Sequence, residues 1–232
     1  MLIYHISDLH IGLKLLTRDL LPDQEFILDQ ITQTAFREKP DAVVISGDLY
    51  DKSIPSAEAV DVFDHFVSKL HRELPDTSIM MISGNHDSAS RVNLFRSVLA
   101  GEHVHMVGMP PRTEEDSIER VTLSDGFGPV NFYLLPFVKP SMVRQIVGTN
   151  PDGTGLSYDE SLRRLLLREH VDESQRNVLV SHQFYLPAGK DADQVERTGS
   201  EICTVGNIDS VRSDVLERFD YAALGHIHKP MK

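Results

Sequence analysis

The chain has 232 residues, of which 41% are hydrophobic, so it can bury one large core or two small ones. A formal net charge of -12 argues against a broad basic surface that would hold nucleic acid unaided, although bound cations could supply positive charge locally. The single cysteine, Cys203, excludes a disulfide framework, and the sequence shows neither a signal peptide nor an apolar run of about 18 residues, so we expect a cytoplasmic protein.

The first part of the chain is predicted to alternate between strands and helices. We expect strands at residues 1–7, 42–46 and 78–82, each followed by a helix, at 22–39, 56–74 and 88–99. This order implies parallel strands joined by helical crossovers. The helix that begins after Ser56, its predicted N-cap, is apolar over an unusually wide arc, which fits burial and a subunit interface equally well.

The character of the sequence changes after about residue 104. Shorter strands are predicted at 104–107, 118–123 and 130–135, separated by polar or Gly/Pro-rich connections, which indicates a second and more antiparallel sheet. Further along we predict a loop at 149–155, a helix ending near 171, a strand at 177–181, a polar loop at 186–207, a short helix at 211–218 and a strand at 220–224. We expect the whole chain to form one domain.

Polar side chains follow five of the predicted strands at the point where each strand ends. They are Asp8 and His10, then Asp48, Asn85 and His182, and finally His226 and His228. Ligands of open α/β sheets bind at the carboxyl ends of the strands, so these side chains predict one convergent site. A single motif of this kind is more often the ordinary start of a loop. That explanation is weak for five such motifs that each follow a predicted strand.

This set of side chains has the chemistry of a metal centre. Two carboxylates, one amide oxygen and four imidazoles, without thiolate, suit Mn, Fe or Zn better than Mg or Ca. The set is too large for one tetrahedral ion but suits two ions that share a carboxylate, for which Asp48 is the better candidate. Two divalent cations about 3.5–4 Å apart can generate hydroxide near neutral pH and stabilise an in-line displacement. Against two carboxylates they leave a net positive site, which favours a phosphate substrate.

Two residues near these predicted ligands are expected to support this chemistry. His86 follows Asn85 and should face differently on extended backbone, so we expect it to donate to the phosphoryl group or to protonate the leaving oxygen. Asp51 could fix the tautomer and orientation of His86. The simplest interpretation of Asp87 is a cap on the helix that follows.

The motifs D-x-H, G-D-x-x-D, G-N-H-D, a lone H and G-H-x-H span the chain and resemble the signature of the calcineurin-like metallophosphoesterases. The resemblance implies a four-layer αββα sandwich of two mixed β-sheets flanked by helices. It implies one metal ion bound by Asp8, His10, Asp48 and His228, and a second bound by Asp48, Asn85, His182 and His226. It also implies that His86 assists at the phosphate.

Within that superfamily the chain is most similar to the SbcD group, the nuclease subunits of SbcC–SbcD DNA repair complexes. The similarity lies in HISDLHIG, ISGDLYDKSIPS, ISGNHDS, VSHQF and residues 198–230. It implies manganese-dependent cleavage of DNA, with double-strand exonuclease and single-strand or hairpin endonuclease activity. It further implies a homodimer formed through the helices after the second and third strands, and an SbcC-type coiled-coil ATPase as partner. Since SbcD proteins continue beyond the last motif, we expect residues 1–232 to be the nuclease domain without the C-terminal cap and partner-binding region.

Other functions compatible with the motifs are a small-molecule or cyclic-nucleotide phosphodiesterase and a metal-bound but inactive scaffold. Protein phosphatases of the superfamily carry Arg-Gly after G-D-x-x-D, whereas this chain has Lys52 and Ser53 there, which disfavours that class. An intact His86 beside a complete ligand set argues against the inactive scaffold. Iron and zinc remain alternatives to manganese.

Overall fold

The computed structural model describes residues 1–94, 96–186 and 210–228. The chain divides into two compact units, Met1–Gly108 (unit 1) and Met109–Lys232 (unit 2). Cys203 and most of the predicted polar loop at 186–207 lie outside the described residues. Among the helices that are described, none combines the length and the apolar character that a membrane span requires.

Unit 1 is built on a parallel sheet. Its strands are β1 (Ile3–Ile6), β2 (Lys14–Leu15), β3 (Arg18–Asp19), β4 (Ala42–Ser46), β5 (Ser78–Ile82) and β6 (Val104–Val107). Its α-helices are α1 (Leu21–Glu38), α2 (Ala57–Glu73), α3 (Ala89–Val92) and α4 (Arg96–Leu99), with a 3-10 turn at Ala100–Glu102. The four-stranded sheet has the order β1-β4-β5-β6 with every pair parallel, and β2 and β3 form a small antiparallel ribbon.

The core of unit 1 follows from two features of its sequence. Every residue of β4 and β5 is buried, which is the continuous apolar pattern typical of central strands in a parallel sheet. Helix α2 packs Phe63, Phe66 and Leu70 into the same core. The Ser56 side chain accepts a hydrogen bond from the Ala59 main-chain N–H at 3.3 Å, so the predicted N-cap of α2 is confirmed.

Two details predicted for this part of the chain are wrong. The strand at 104–107 does not belong to the second sheet, because β6 pairs in parallel with β5. The predicted helix at 88–99 is two short helices, α3 and α4. Asn93 follows α3, and its side-chain oxygen accepts a hydrogen bond from the Gly108 main-chain N–H at 3.2 Å, a long-range contact that favours the break over a continuous helix.

Unit 2 is built on a mixed sheet. Its strands are β7 (Glu119–Asp125), β8 (Gly128–Leu135), β9 (Arg176–Ser181), β10 (Phe184–Leu186), β11 (Ser210–Arg212) and β12 (Tyr221–Leu224). Its α-helices are α5 (Pro140–Val147) and α6 (Tyr158–Leu167), and a 3-10 helix spans Ser213–Arg218. The four-stranded sheet has the order β12-β9-β8-β7, in which β7 runs antiparallel to β8 while β8, β9 and β12 are parallel.

The second sheet is less antiparallel than the sequence indicates, since only the β7–β8 pair has that orientation. Helix α5 and strand β10 are not predicted, because each is too short to show a clear period. The predicted helix at 211–218 is a strand, β11, followed by the 3-10 helix. The predicted parallel strands nevertheless bring their carboxyl ends together within each unit.

Candidate metal centre

The backbone is unusual at the predicted ligands. Seven non-glycine residues in the described part of the chain have positive φ, and four of them are predicted ligands: Asp8 (54°), His10 (43°), Asp48 (49°) and His226 (81°). This left-handed conformation costs a non-glycine residue about 1 kcal/mol or more, and such residues concentrate at functional sites. The strain therefore supports a functional role for the ends of β1, β4 and β12.

In unit 1, main-chain hydrogen bonds join the turns that follow β1 and β4. The N–H of Asp8 donates to the Gly47 carbonyl at 3.1 Å, and the N–H of His10 donates to the Asp48 carbonyl at 3.0 Å. As a result, His10 Nε2 lies 3.7 Å from Asp48 Oδ2, and both side chains are almost completely buried. The structure therefore brings together two of the residues predicted to share one metal ion.

The loop after β5 reaches the same carboxylate. The His86 main-chain N–H donates to Asp48 Oδ1 at 2.8 Å. A Cβ at Gly84 would overlap both the carboxylate and the main-chain nitrogen of Asp48, so only glycine fits there. Asn85 lies between these two residues and is half-buried. The G-N-H motif is therefore shaped around Asp48.

Asp87 connects the two loops. Its carboxylate accepts hydrogen bonds from the main-chain N–H groups of Leu49 (3.0 Å), Tyr50 (3.0 Å) and Gly84 (2.8 Å). The interpretation of Asp87 as a helix cap is thus wrong, because these bonds go to the loops after β4 and β5. Burial raises the pKa of Asp87, and the three amide hydrogen bonds act in the opposite direction. Sequence reasoning missed this role because nothing in the local pattern shows which distant amides the carboxylate will meet.

We expect Asp87→Asn to lower the free energy of unfolding by about 1–3 kcal/mol, because the amide would place an N–H₂ group against main-chain N–H donors and leave at least one of them unsatisfied. Urea unfolding followed by circular dichroism measures the change. Asp61→Asn, at an exposed position of α2, is the matched control and should stay within about 0.5 kcal/mol of the parent. Equal stabilities for the two variants would contradict the assigned role of Asp87.

His86 is held by a main-chain group. Its Nδ1 lies 2.8 Å from the carbonyl oxygen of Asp51, and since a carbonyl only accepts, Nδ1 carries a proton. From the sequence we expect the Asp51 side chain to orient His86, but the contact made to Nδ1 is with the Asp51 main chain, and the Asp51 carboxylate has its Oδ1 4.0 Å from His10 Nδ1. With Nδ1 protonated, Nε2 of His86 is the nitrogen that can take up or deliver a proton.

The ring of His86 also lies close to the predicted ligands of unit 1. It meets the His10 ring edge to face, with centroids 4.8 Å apart. One side-chain ligand atom from each of His10, Asp48 and His86 lies within 4.8 Å of the other two. The geometry of unit 1 therefore admits His86 as a ligand as well as a proton donor, and metal content of a His86 variant distinguishes the two roles.

In unit 2, the predicted ligands follow neighbouring parallel strands. His182 follows β9 and is fully buried, while His226 follows β12 and is 8% exposed. The Gly225 N–H donates to the Ser181 carbonyl at 3.0 Å, which holds the two strand ends together. The His182 and His226 ring centroids are 5.2 Å apart, and His228 lies two residues further along the same loop, half-buried.

The donor atoms of each unit fit a divalent metal. Unit 1 offers two carboxylates, an amide oxygen and imidazole nitrogen, and unit 2 offers the imidazoles of three histidines. Mixed nitrogen and oxygen ligands of this kind suit Mn, Fe or Zn, as the sequence indicates. His182 and His226 are buried, and a buried imidazole is stable only when its nitrogen atoms are bonded, a requirement that metal ligation would meet.

Residues 1–230 match the sequence model of the calcineurin-like phosphoesterase family. The match covers almost the whole chain, and the chain therefore belongs to this family. Membership confirms the predicted superfamily and, with the parallel and mixed sheets flanked by helices, the predicted fold class. It also supports metal-dependent hydrolysis of a phosphoester as the activity.

Proposed function

We propose that this phosphoesterase is a manganese-dependent DNA nuclease, the catalytic subunit of an SbcCD-type complex that acts in double-strand break repair or recombination. The observation that carries the proposal is the ordered ligand motifs together with the SbcD-like segments around them. A homodimer and an SbcC-type coiled-coil ATPase partner belong to the same proposal and rest on the same resemblance.

The proposed centre holds two ions, with the ligands that the family resemblance implies. One ion would be held by Asp8, His10, Asp48 and His228, and the other by Asp48, Asn85, His182 and His226. When bound, the pair of cations supplies hydroxide near neutral pH and neutralises charge on the phosphate. Asp48 would be the shared carboxylate, and within unit 1 its Oδ1 accepts a hydrogen bond from the His86 main-chain N–H.

His86 provides the proton chemistry of the proposed reaction. Its Nδ1–H is held by the Asp51 carbonyl, so Nε2 is the nitrogen that would exchange a proton with the substrate. From there it can donate to a phosphoryl oxygen or protonate the leaving oxygen of the cleaved ester. Asp51 thus acts on the reaction through its main chain.

A second candidate is hydrolysis of a small phosphodiester such as a cyclic nucleotide. The observation that favours it is the net charge of -12, because a duplex substrate is ordinarily held by many Lys and Arg contacts to phosphates. A small diester needs no such surface and could bind at the metal centre alone.

The two candidates are separated by an assay of the purified protein with Mn²⁺ on linear duplex, hairpin and single-stranded DNA, beside bis(p-nitrophenyl) phosphate and a cyclic nucleotide. The nuclease proposal predicts cleavage of the DNA substrates and complete loss of cleavage when EDTA removes the metal. Rapid turnover of the small diesters with intact DNA would contradict it and favour the second candidate.

A further inference from the structure

An aromatic side chain lies beside the buried histidines of unit 2. Phe137 follows β8, the third of the parallel strands whose carboxyl ends meet here, and is half-buried. Its ring is nearly parallel to that of His226, with a centroid distance of 6.3 Å and an interplanar angle of 27°. It meets the His182 ring edge to face at 6.5 Å. Phe137 thus contacts both histidines at once.

The short link that carries Phe137 is anchored on both sides. The Gln183 Nε2 donates to the Pro136 carbonyl at 3.1 Å, and the Tyr158 hydroxyl lies 2.6 Å from the Val138 carbonyl. The same hydroxyl lies 2.6 Å from Gln183 Oε1, and its single proton is shared between these two acceptor oxygens, which links Tyr158 to Gln183 as well as to Val138. We call these two residues the Gln183–Tyr158 clamp.

The clamp has a direct connection to the histidines. Gln183 is fully buried and is the residue that follows His182, so its hydrogen bonds also fix the backbone that presents this histidine. A buried amide side chain is stable only when its polar atoms are bonded, and here both are. One pair of side chains therefore fixes Phe137 and His182 together.

We infer that Phe137 is a positioning residue for the metal-binding histidines His182 and His226, and that the Gln183–Tyr158 clamp holds it in place. This inference rests on the proposed function, in which these histidines bind metal. Metal-binding histidines need a fixed ring plane, which neighbouring groups supply. Phe137 supplies it here by packing beside both rings.

The test measures metal binding directly, by calorimetric titration of the metal-free protein with Mn²⁺ and with Zn²⁺. Phe137→Leu is expected to weaken the binding of one ion per chain by about tenfold. Removing a group that orients a metal ligand typically weakens metal binding by about 10–100-fold, and we expect the lower end of that range. Phe137→Tyr keeps the ring and is expected to restore affinity close to that of the parent. Tyr158→Phe removes the hydroxyl of the clamp and should weaken binding of the same ion.

Phe219→Leu is the matched control. Phe219 is also a half-buried phenylalanine of unit 2, and its ring meets the Tyr133 ring edge to face at 5.6 Å. It precedes β12 and so lies at the amino end of that strand, whereas His226 follows the carboxyl end. Its variant should bind both ions with parental affinity. If Phe137→Leu does not fold, Tyr158→Phe and Phe137→Tyr decide the question.

The outcomes separate this inference from the proposed function. A parent protein that binds neither ion overturns the proposed function and the inference with it. A parent that binds two ions while the Phe137 and Tyr158 variants bind them equally well overturns the inference alone. Equal weakening in Phe137→Leu and Phe219→Leu would also overturn it, because the effect would then reflect general loss of packing.

Discussion

Replacing Asp48 with asparagine is expected to remove both metal ions and to lower turnover of a phosphodiester by more than about 100-fold. The estimate is conservative, because even groups that only orient a metal ligand change affinity or activity by about 10–100-fold. Asp48 is nearly fully buried and its proposed role is to bridge the two ions, so the loss of its charge weakens both sites together. Asparagine keeps the main-chain contacts and an oxygen that can accept from the His86 main-chain N–H, so the variant should fold.

Metal analysis by mass spectrometry, after equilibration with Mn²⁺, measures this effect. His10→Gln and His228→Gln are the informative comparisons, since each should lose mainly one ion. Asp61→Asn, on the exposed side of α2, should retain both. An Asp48→Asn protein that still binds two ions would show that this carboxylate is not shared.

Replacing His86 with glutamine is expected to lower the rate of phosphodiester cleavage by about 10²–10⁴-fold, the usual contribution of general acid–base catalysis. The physical reason is that the Asp51 carbonyl fixes Nδ1–H, which leaves Nε2 as the nitrogen that exchanges a proton. Glutamine can hydrogen-bond but cannot exchange a proton near neutral pH.

Steady-state kinetics and metal content are measured on the same preparation. His65→Gln, at an exposed position of α2, is the control and should keep the parental rate. Unchanged metal content with a reduced rate supports a proton-transfer role. Loss of an ion would instead identify His86 as a ligand, and an undiminished rate would remove it from the mechanism.

Much of unit 1 can be predicted from local sequence. The bounds of β4 and β5 agree with the prediction because an apolar run rich in β-branched or large residues ends abruptly at a polar or glycine residue. The start of α2 follows from the cap at Ser56. Asp48 is also recognisable, because a carboxylate directly after a buried strand lies at the carboxyl edge of the sheet.

The remaining features depend on contacts between distant parts of the chain. Strand β6 belongs to the first sheet because it pairs with β5. The four residues of β6 do not indicate which strand it will pair with. Asp87 bonds to main-chain amides 38 and 37 positions away, and His86 bonds to a main-chain carbonyl 35 positions away. All residue types carry the carbonyl and all but proline carry the N–H, so the side-chain pattern does not indicate which backbone groups form these bonds.

We propose that one pair of divalent cations binds the motif residues of this phosphoesterase and carries out its chemistry. Anomalous X-ray diffraction from crystals grown with Mn²⁺ tests it most directly. The proposal predicts two manganese peaks about 3.5–4 Å apart, with Asp48 coordinating both. A single peak, or peaks that do not contact Asp48, would contradict it.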